Sequence, residues 1–415
     1  MQEPIITNDA VVFGLLMTLL GFVFYTSSID NTFWKKFYGI VPTVLVCYFL
    51  PSIFNSGGII SGESSQLYFV ASRYLLPAAL VLVTVSVDLK EVAKLGSKAL
   101  AMFFAGTMGI VLGGPLALLI LMVVAPSIVG GEPPNEVWRG MTTIAGSWIG
   151  GGANQAAMKE VFQVNGELFS KMVTVDILIG NSWLAVLLIG VGRAAKIDRF
   201  LKADSSAIEE LKNKVEAYQA SIMKIPSLSD IVLILAVGFG VTGLSHLLAD
   251  QIAPFLAENY PQLEKYSLTS SFFWLVVIAT TMGVILSFTK VRNLEGAGAS
   301  KIGGLFIYVL VATIGMQMDL MAIFENPGLF LLGILWISLH VIFLFVVAKI
   351  IKAPYFFVAV GSQANVGGAA SAPIVAAAFH PALAPVGVLL AVLGYAVGTY
   401  GAWLCGILMQ AVAGP

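Results

Sequence analysis

Residues 146–157 read GSWIGGGANQAA, and residues 361–373 read GSQANVGGAASAP. Each stretch opens on Gly-Ser (Gly146-Ser147, Gly361-Ser362) and reaches a Gly-Gly-Ala core. That core is Gly151-Gly152-Ala153 in the first copy and Gly367-Gly368-Ala369 in the second, where one extra residue precedes it. Glycine has no Cβ, so such a run breaks a helix and lets backbone approach a ligand closely. In a bilayer, broken backbone is tolerated only where protein or a water-filled cavity satisfies its polar groups. Two breaks at corresponding places in two halves of a chain point to a transporter's binding site. Tight helix packing through small residues is the competing reading. It does not call for Asn154, Gln155, Gln363 and Asn365 beside the glycines.

The rest of the chain fits a bilayer. Of 415 residues, 58% are hydrophobic and 11% charged, with a mean hydropathy of +0.92; a soluble domain carries roughly 25% charged residues. Cys47 and Cys405 both fall in apolar runs, so the sequence offers no disulfide framework. CxxC, HExxH and P-loop patterns are absent, and the three histidines are far apart. A net charge of −1 gives no reason to expect nucleic acid. The first apolar run, 11–25, lacks a basic flank and a small-residue cleavage site, and is expected to be a retained span.

A spanning helix needs about 20 apolar residues. That rule predicts spans near 9–27, 37–54, 68–87, 99–125 and 172–192, then 228–249, 270–289, 302–318, 328–348 and 384–411. Each glycine motif falls between the fourth and fifth span of its half. Alternate loops and the linker 193–227 hold 17 of the 22 Lys and Arg, the bias expected of the cytoplasmic side. The count closes only if each motif dips into the membrane and returns to its own side. Five crossings per half is odd, so the halves 1–192 and 228–415 are predicted to be inverted repeats. Both termini then lie outside, in the plasma (inner) membrane. Val87-Asp88-Leu89 against Met318-Asp319-Leu320, and Trp183-Leu184 against Trp403-Leu404, recur in matching order. In the linker, Ser206 and Glu209 form a capping-box pattern, and Ile208, Leu211, Val215, Tyr218 and Ile222 form one apolar seam.

Around the first break stand Thr143, Ser147, Gly151, Gly152, Asn154 and Gln155; around the second stand Ser362, Gln363, Asn365, Gly367, Gly368 and Ser371. Neutral oxygens beside unwound backbone suit Na⁺, and half-helix N-termini favour an anionic group. Asn154 and Asn365 are the expected neutral ion ligands, with Asp176 as a third, charged one. An intramembrane carboxylate is costly and marks function by default. Its alternative is a shallow carboxylate paired with Lys171, and the second half has no acidic equivalent. Arg73 reads as a snorkelling side chain or as a fork for a substrate carboxylate. Asp88, with Glu91 after it, and Asp319 read as helix caps, His340 as a packed polar residue with one partner, and Trp148 as core or a substrate flank.

These motifs, the ten spans and the basic central linker resemble the domain of unknown function family 819 of bacterial integral membrane proteins, which has relatives in chloroplasts. The resemblance covers essentially the whole chain and rests on GSWIGGGANQAA and GSQANVGGAASAP. That family is grouped with the glutamate:sodium and bile acid:sodium symporter folds. The grouping implies two inverted five-span repeats, elevator-like motion and commonly a homodimer. It also implies a moving core of spans 3–5 and 8–10 and a panel of spans 1, 2, 6 and 7. The paired Asp of Na⁺/H⁺ antiporters is missing, which counts against pure antiport. The expected function is Na⁺-coupled symport of a small organic anion, with no cofactor beyond the coupling ion. A proton-coupled exporter using Asp176 is the alternative within transport. An intramembrane enzyme would need a Ser such as Ser147 or Ser362 set beside a His.

Overall fold

The computed structural model describes residues 4–41, 43–62, 64–87, 92, 93, 95–133, 135–203, 208, 225–317, 328–380 and 383–414. Among these residues every regular element is a helix. The first half contains α1 (Asp9–Ser28), α2 (Thr32–Ile40), α3 (Thr43–Ser56), α4 (Leu67–Val85), α5 (Ser97–Val124), α6 (Val137–Val161), α7 (Gly166–Val191) and α8 (Ala194–Leu201). The second contains α9 (Leu228–Asn259), α10 (Ser271–Ser287), α11 (Ala299–Gly315), α12 (Gly328–Ile351), α13 (Tyr355–Val366), α14 (Gly368–Phe379) and α15 (Ala384–Ala413). Helix starts are set where side chains accept from unpaired first-turn N–H groups. Asn8 does this for α1, Asn165 for α7 (2.7 Å from Leu168 N), and Ser227 with Asp230 closes a capping box on α9.

Among the described residues, seven helices (α1, α4, α5, α7, α9, α12 and α15) are long and apolar enough to cross a membrane. Joining α10 to the turn at 290–297, bent by 95°, makes an eighth. The expected span 37–54 is two helices, because Asn31 caps a separate aromatic helix, α2, ahead of α3. By length α3, α10 and α11, with 14, 17 and 17 residues, fall below the about 20 of a full span. The expected cap roles of Asp88, Glu91 and Asp319 lie outside the described residues, as does the linker pattern from Ser206 to Ile222, Ile208 apart.

The helices pack as two groups. In one, α4 packs on α9, α10 and α11, and α3 packs on α1 and α11. In the other, α15 runs along α6, α12 along α5, α13 on α5, and α14 on α15. The groups meet where α6 and α15 touch α4 and α10. The resemblance placed the third and eighth spans with the glycine motifs; α4 and α11 instead pack with the first group. The reason is visible in α4: Leu76 to Val85 is apolar but for Thr84 and wholly buried, as suits a helix surrounded by others. Gly303 of α11 lets that helix rest directly against Leu82 and Val83.

Candidate functional site

Both glycine motifs fold back on themselves. In α6 the backbone leaves helical geometry at Gly151 (φ 73°, ψ −173°), a conformation that L side chains rarely adopt. Gly146 then lies against the Asn154 carbonyl, which a Cβ at 146 would approach to 2.5 Å. The second motif turns between α13 and α14, with Gly368 at φ 57°. There Gln363 Nε2 donates to Ser371 Oγ at 2.7 Å. Each contact joins residues eight apart, which a straight helix would hold about 12 Å apart. Both motifs are therefore helical hairpins, each with an outgoing and a return arm.

One cavity of about 380 Å³ receives both breaks. Ser147, Gly151, Gly152 and Gln155 line it from the first hairpin, and Gln363, Gly367, Gly368 and Ser371 from the second. Asp176 and Asn181 of α7 and Tyr395 of α15 complete that wall, and Tyr48 of α3 and Tyr308 of α11 face them from the other helix group. Asp176 is 6% exposed and its Oδ2 accepts from Gln155 Nε2 at 2.8 Å. Ser147 and Trp148 also face the carboxylate, but Gln155 is the residue that reaches it with full hydrogen-bond geometry. Gln155 Oε1 in turn accepts from Tyr48 across the group boundary at 3.5 Å. Lys171, the shallow partner considered for Asp176, pairs with Glu167 at 2.7 Å.

Three expected ligands stand elsewhere. Asn154 Nδ2 donates to Gly150 O at 2.9 Å, and its Oδ1 accepts from Thr399 at 2.6 Å. Asn365 Nδ2 donates to Gly361 O and Phe103 O at 2.9 and 3.0 Å, and its Oδ1 accepts from Thr107 at 2.8 Å. Each amide thus secures its own outgoing arm and a crossing helix, α15 or α5. Neither lines the cavity, and in this structure both amides are engaged in hydrogen bonds that tie helices together. Ser362 is the third. The Gly106 carbonyl can only accept, so His340 Nδ1 carries the proton (3.0 Å). His340 Nε2 then accepts from Ser362 Oγ, which accepts from Trp183 Nε1, both at 2.8 Å. His340 has two partners, not one.

Arg73 does not line the cavity. It sits in a π-helical turn, Ala71–Leu75, a feature frequent at functional sites. Its Nη1 donates to Glu160 at 2.9 Å, and its guanidinium lies 4.3 Å from the Phe272 ring. Lys159, 6% exposed, donates to Tyr68 at 2.8 Å and to Gln317 at 3.4 Å, and Tyr68 bonds Glu160. Sequence reasoning missed this cluster. Its signal was Lys159-Glu160 on the return arm, one turn beyond Gln155. Trp148 is fully buried 5.1 Å from Trp336, outside the cavity wall.

Helical spans plus two hairpins around an internal cavity define an integral membrane protein. The chain belongs to the family described as "Protein of unknown function (DUF819)", which matches residues 14–412. It is 26% identical over 365 residues to the "Uncharacterized membrane protein YjcL" of Bacillus subtilis (strain 168), covering 84% of this chain and 85% of that one.

Proposed function

We propose that this protein is a secondary transporter, a Na⁺-coupled symporter of a small organic anion such as a carboxylate, an amino acid or a cell-wall fragment. One observation carries the reading: two helical hairpins bring their breaks to a single cavity between two helix groups. In this reading the chain crosses ten times as inverted repeats, with α3, α10 and α11 spanning at short length where the bilayer thins. The basic linker and loops then face the cytoplasm and both termini face outward across the plasma membrane. The hairpin-bearing group moves, and the group of α1, α3, α4, α9, α10 and α11 stays in place and carries the homodimer contact. Asp176, with Ser147 beside it, supplies oxygens for Na⁺. The return arms starting at Gly152 and Gly368 turn their N-termini toward a carboxylate.

A proton-coupled exporter remains the second reading, favoured by the burial of Asp176. The Ser362–His340 pair is the observation an intramembrane hydrolase would need. Against it, both residues are 0% exposed and outside the cavity, and Trp183 occupies the hydroxyl. Thermal unfolding in nanodiscs tests the coupling. Na⁺ replacing choline should raise Tm, and Asp176→Asn should abolish the shift. A wild-type protein indifferent to Na⁺ but steeply pH-dependent, with Asp176→Asn removing that dependence, would reject the sodium reading.

A further inference from the structure

We propose that the cargo is a small zwitterion, whose carboxylate meets the start of α14 and whose ammonium N–H meets Gln363. The proposal rests on the transporter reading and narrows it.

The cavity wall determines which charges it can hold. Among the described residues Asp176 is its one formal charge, and no Lys, Arg or His lines it. With the coupling Na⁺ matched to Asp176, a bound anion is left to backbone dipoles. α14 is a helix of 12 residues whose first turn (Gly368, Ala369, Ala370) lines the cavity. No side chain caps it. Its unpaired N–H groups and positive dipole end suit a carboxylate. The second observation is independent of the first. Gln363 is 1% exposed, its Nε2 is committed to Ser371, and its Oε1 has no hydrogen-bond partner among the described residues. A buried acceptor without a partner calls for a donor.

Gln363 and α14 belong to the same hairpin, so the carboxylate site and the acceptor are adjacent. A ligand complementary to both carries an anionic and an N–H-bearing cationic group close together, as in an amino acid or short peptide. The rings of Tyr48, Tyr308 and Tyr395 add faces that attract a cation. A dicarboxylate is excluded on the same grounds. Its second charge would meet the Gln363 carbonyl oxygen, and a single Na⁺ at Asp176 offsets only that carboxylate.

The experiment is a thermal-shift titration of the full-length protein in nanodiscs with Na⁺ present. The probes are the twenty amino acids, glycylglycine, succinate, acetate and ethanolamine. At least one zwitterion should raise Tm while succinate and acetate do not. Gln363→Leu should weaken that zwitterion about tenfold, the loss of roughly one hydrogen bond, with the Na⁺ shift intact as evidence of folding. Gln363→Glu, which keeps an acceptor, should retain binding. Stabilisation by succinate as strong as by any zwitterion would overturn the proposal, as would a blank zwitterion panel or abolition of binding by Gln363→Glu. In those cases an intact Na⁺ shift leaves the transporter reading standing. Loss of every shift, Na⁺ included, counts against both.

Discussion

The first hairpin carries Lys159 and Glu160 on its return arm, whereas residues 355–379 of the second carry no charge. This difference decides what each can hold on to. The first hairpin reaches across to the other helix group: Glu160 takes Arg73 and Tyr68, Lys159 takes Tyr68 and Gln317, and α6 packs on both α4 and α10. The second is secured within its own group. Asn365 and Ser362 hold its outgoing arm, and α14 packs on α15, α13, α7 and α6, leaving Ala370 and Ile374 exposed. The same backbone device is thus latched in one copy and loosely covered in the other. If the groups move past each other, the latch must open and the second hairpin can follow at little cost.

The largest effect is expected at the latch. Glu160→Gln leaves Arg73 and Lys159 facing each other with no counter-charge in a mostly buried place. Removing one partner from such a cluster costs about 3–5 kcal/mol; denaturant or thermal unfolding should show it, and Arg73→Met added to the variant should recover part of the loss. No comparable loss is expected for Ser371→Ala, which frees one hydrogen bond of the second hairpin. Equal losses would erase the distinction between the hairpins.

Next come the two asparagines. Asn365→Ala removes three hydrogen bonds and Asn154→Ala two, at roughly 1 kcal/mol net for each bond. Both should lower Tm, Asn365→Ala more, while the Na⁺-induced shift persists. Disappearance of that shift in either variant would restore an ion-ligand role. Accessibility sharpens the contrast further. A cysteine at Ala370 should react with a hydrophilic maleimide at least about tenfold faster than one at fully buried Ala153. Native Cys47 and Cys405 are both buried and should add little background. The smallest effect is expected for Tyr48→Phe, whose contact with Gln155 is a long 3.5 Å. It should cost under about 1 kcal/mol.

Backbone breaks were legible in the sequence because only glycine accommodates the conformation at Gly151 and because the motif repeats. Helix positions followed from apolar run length; α3, α10 and α11 came out short because apolar composition does not set where a helix ends. Side-chain partners were not legible. Asn154 and Asn365 look like ligands by residue type, yet their oxygens go to Thr399 and Thr107, 245 and 258 residues away. Sequence spacing carries no trace of those pairs. Gln363 and Ser371 could have been paired once a hairpin was assumed, since the fold-back alone brings them together.

The central claim is that both motifs are re-entrant and enter from opposite faces of the membrane. Single cysteines at Asn135, Gln163, Lys352 and His380, all exposed at hairpin ends, test it by labelling in sealed vesicles of known orientation with an impermeant reagent. Positions 135 and 163 should label together from one side, and 352 and 380 together from the other. Either pair split across the membrane, or all four labelled from one side, would contradict it.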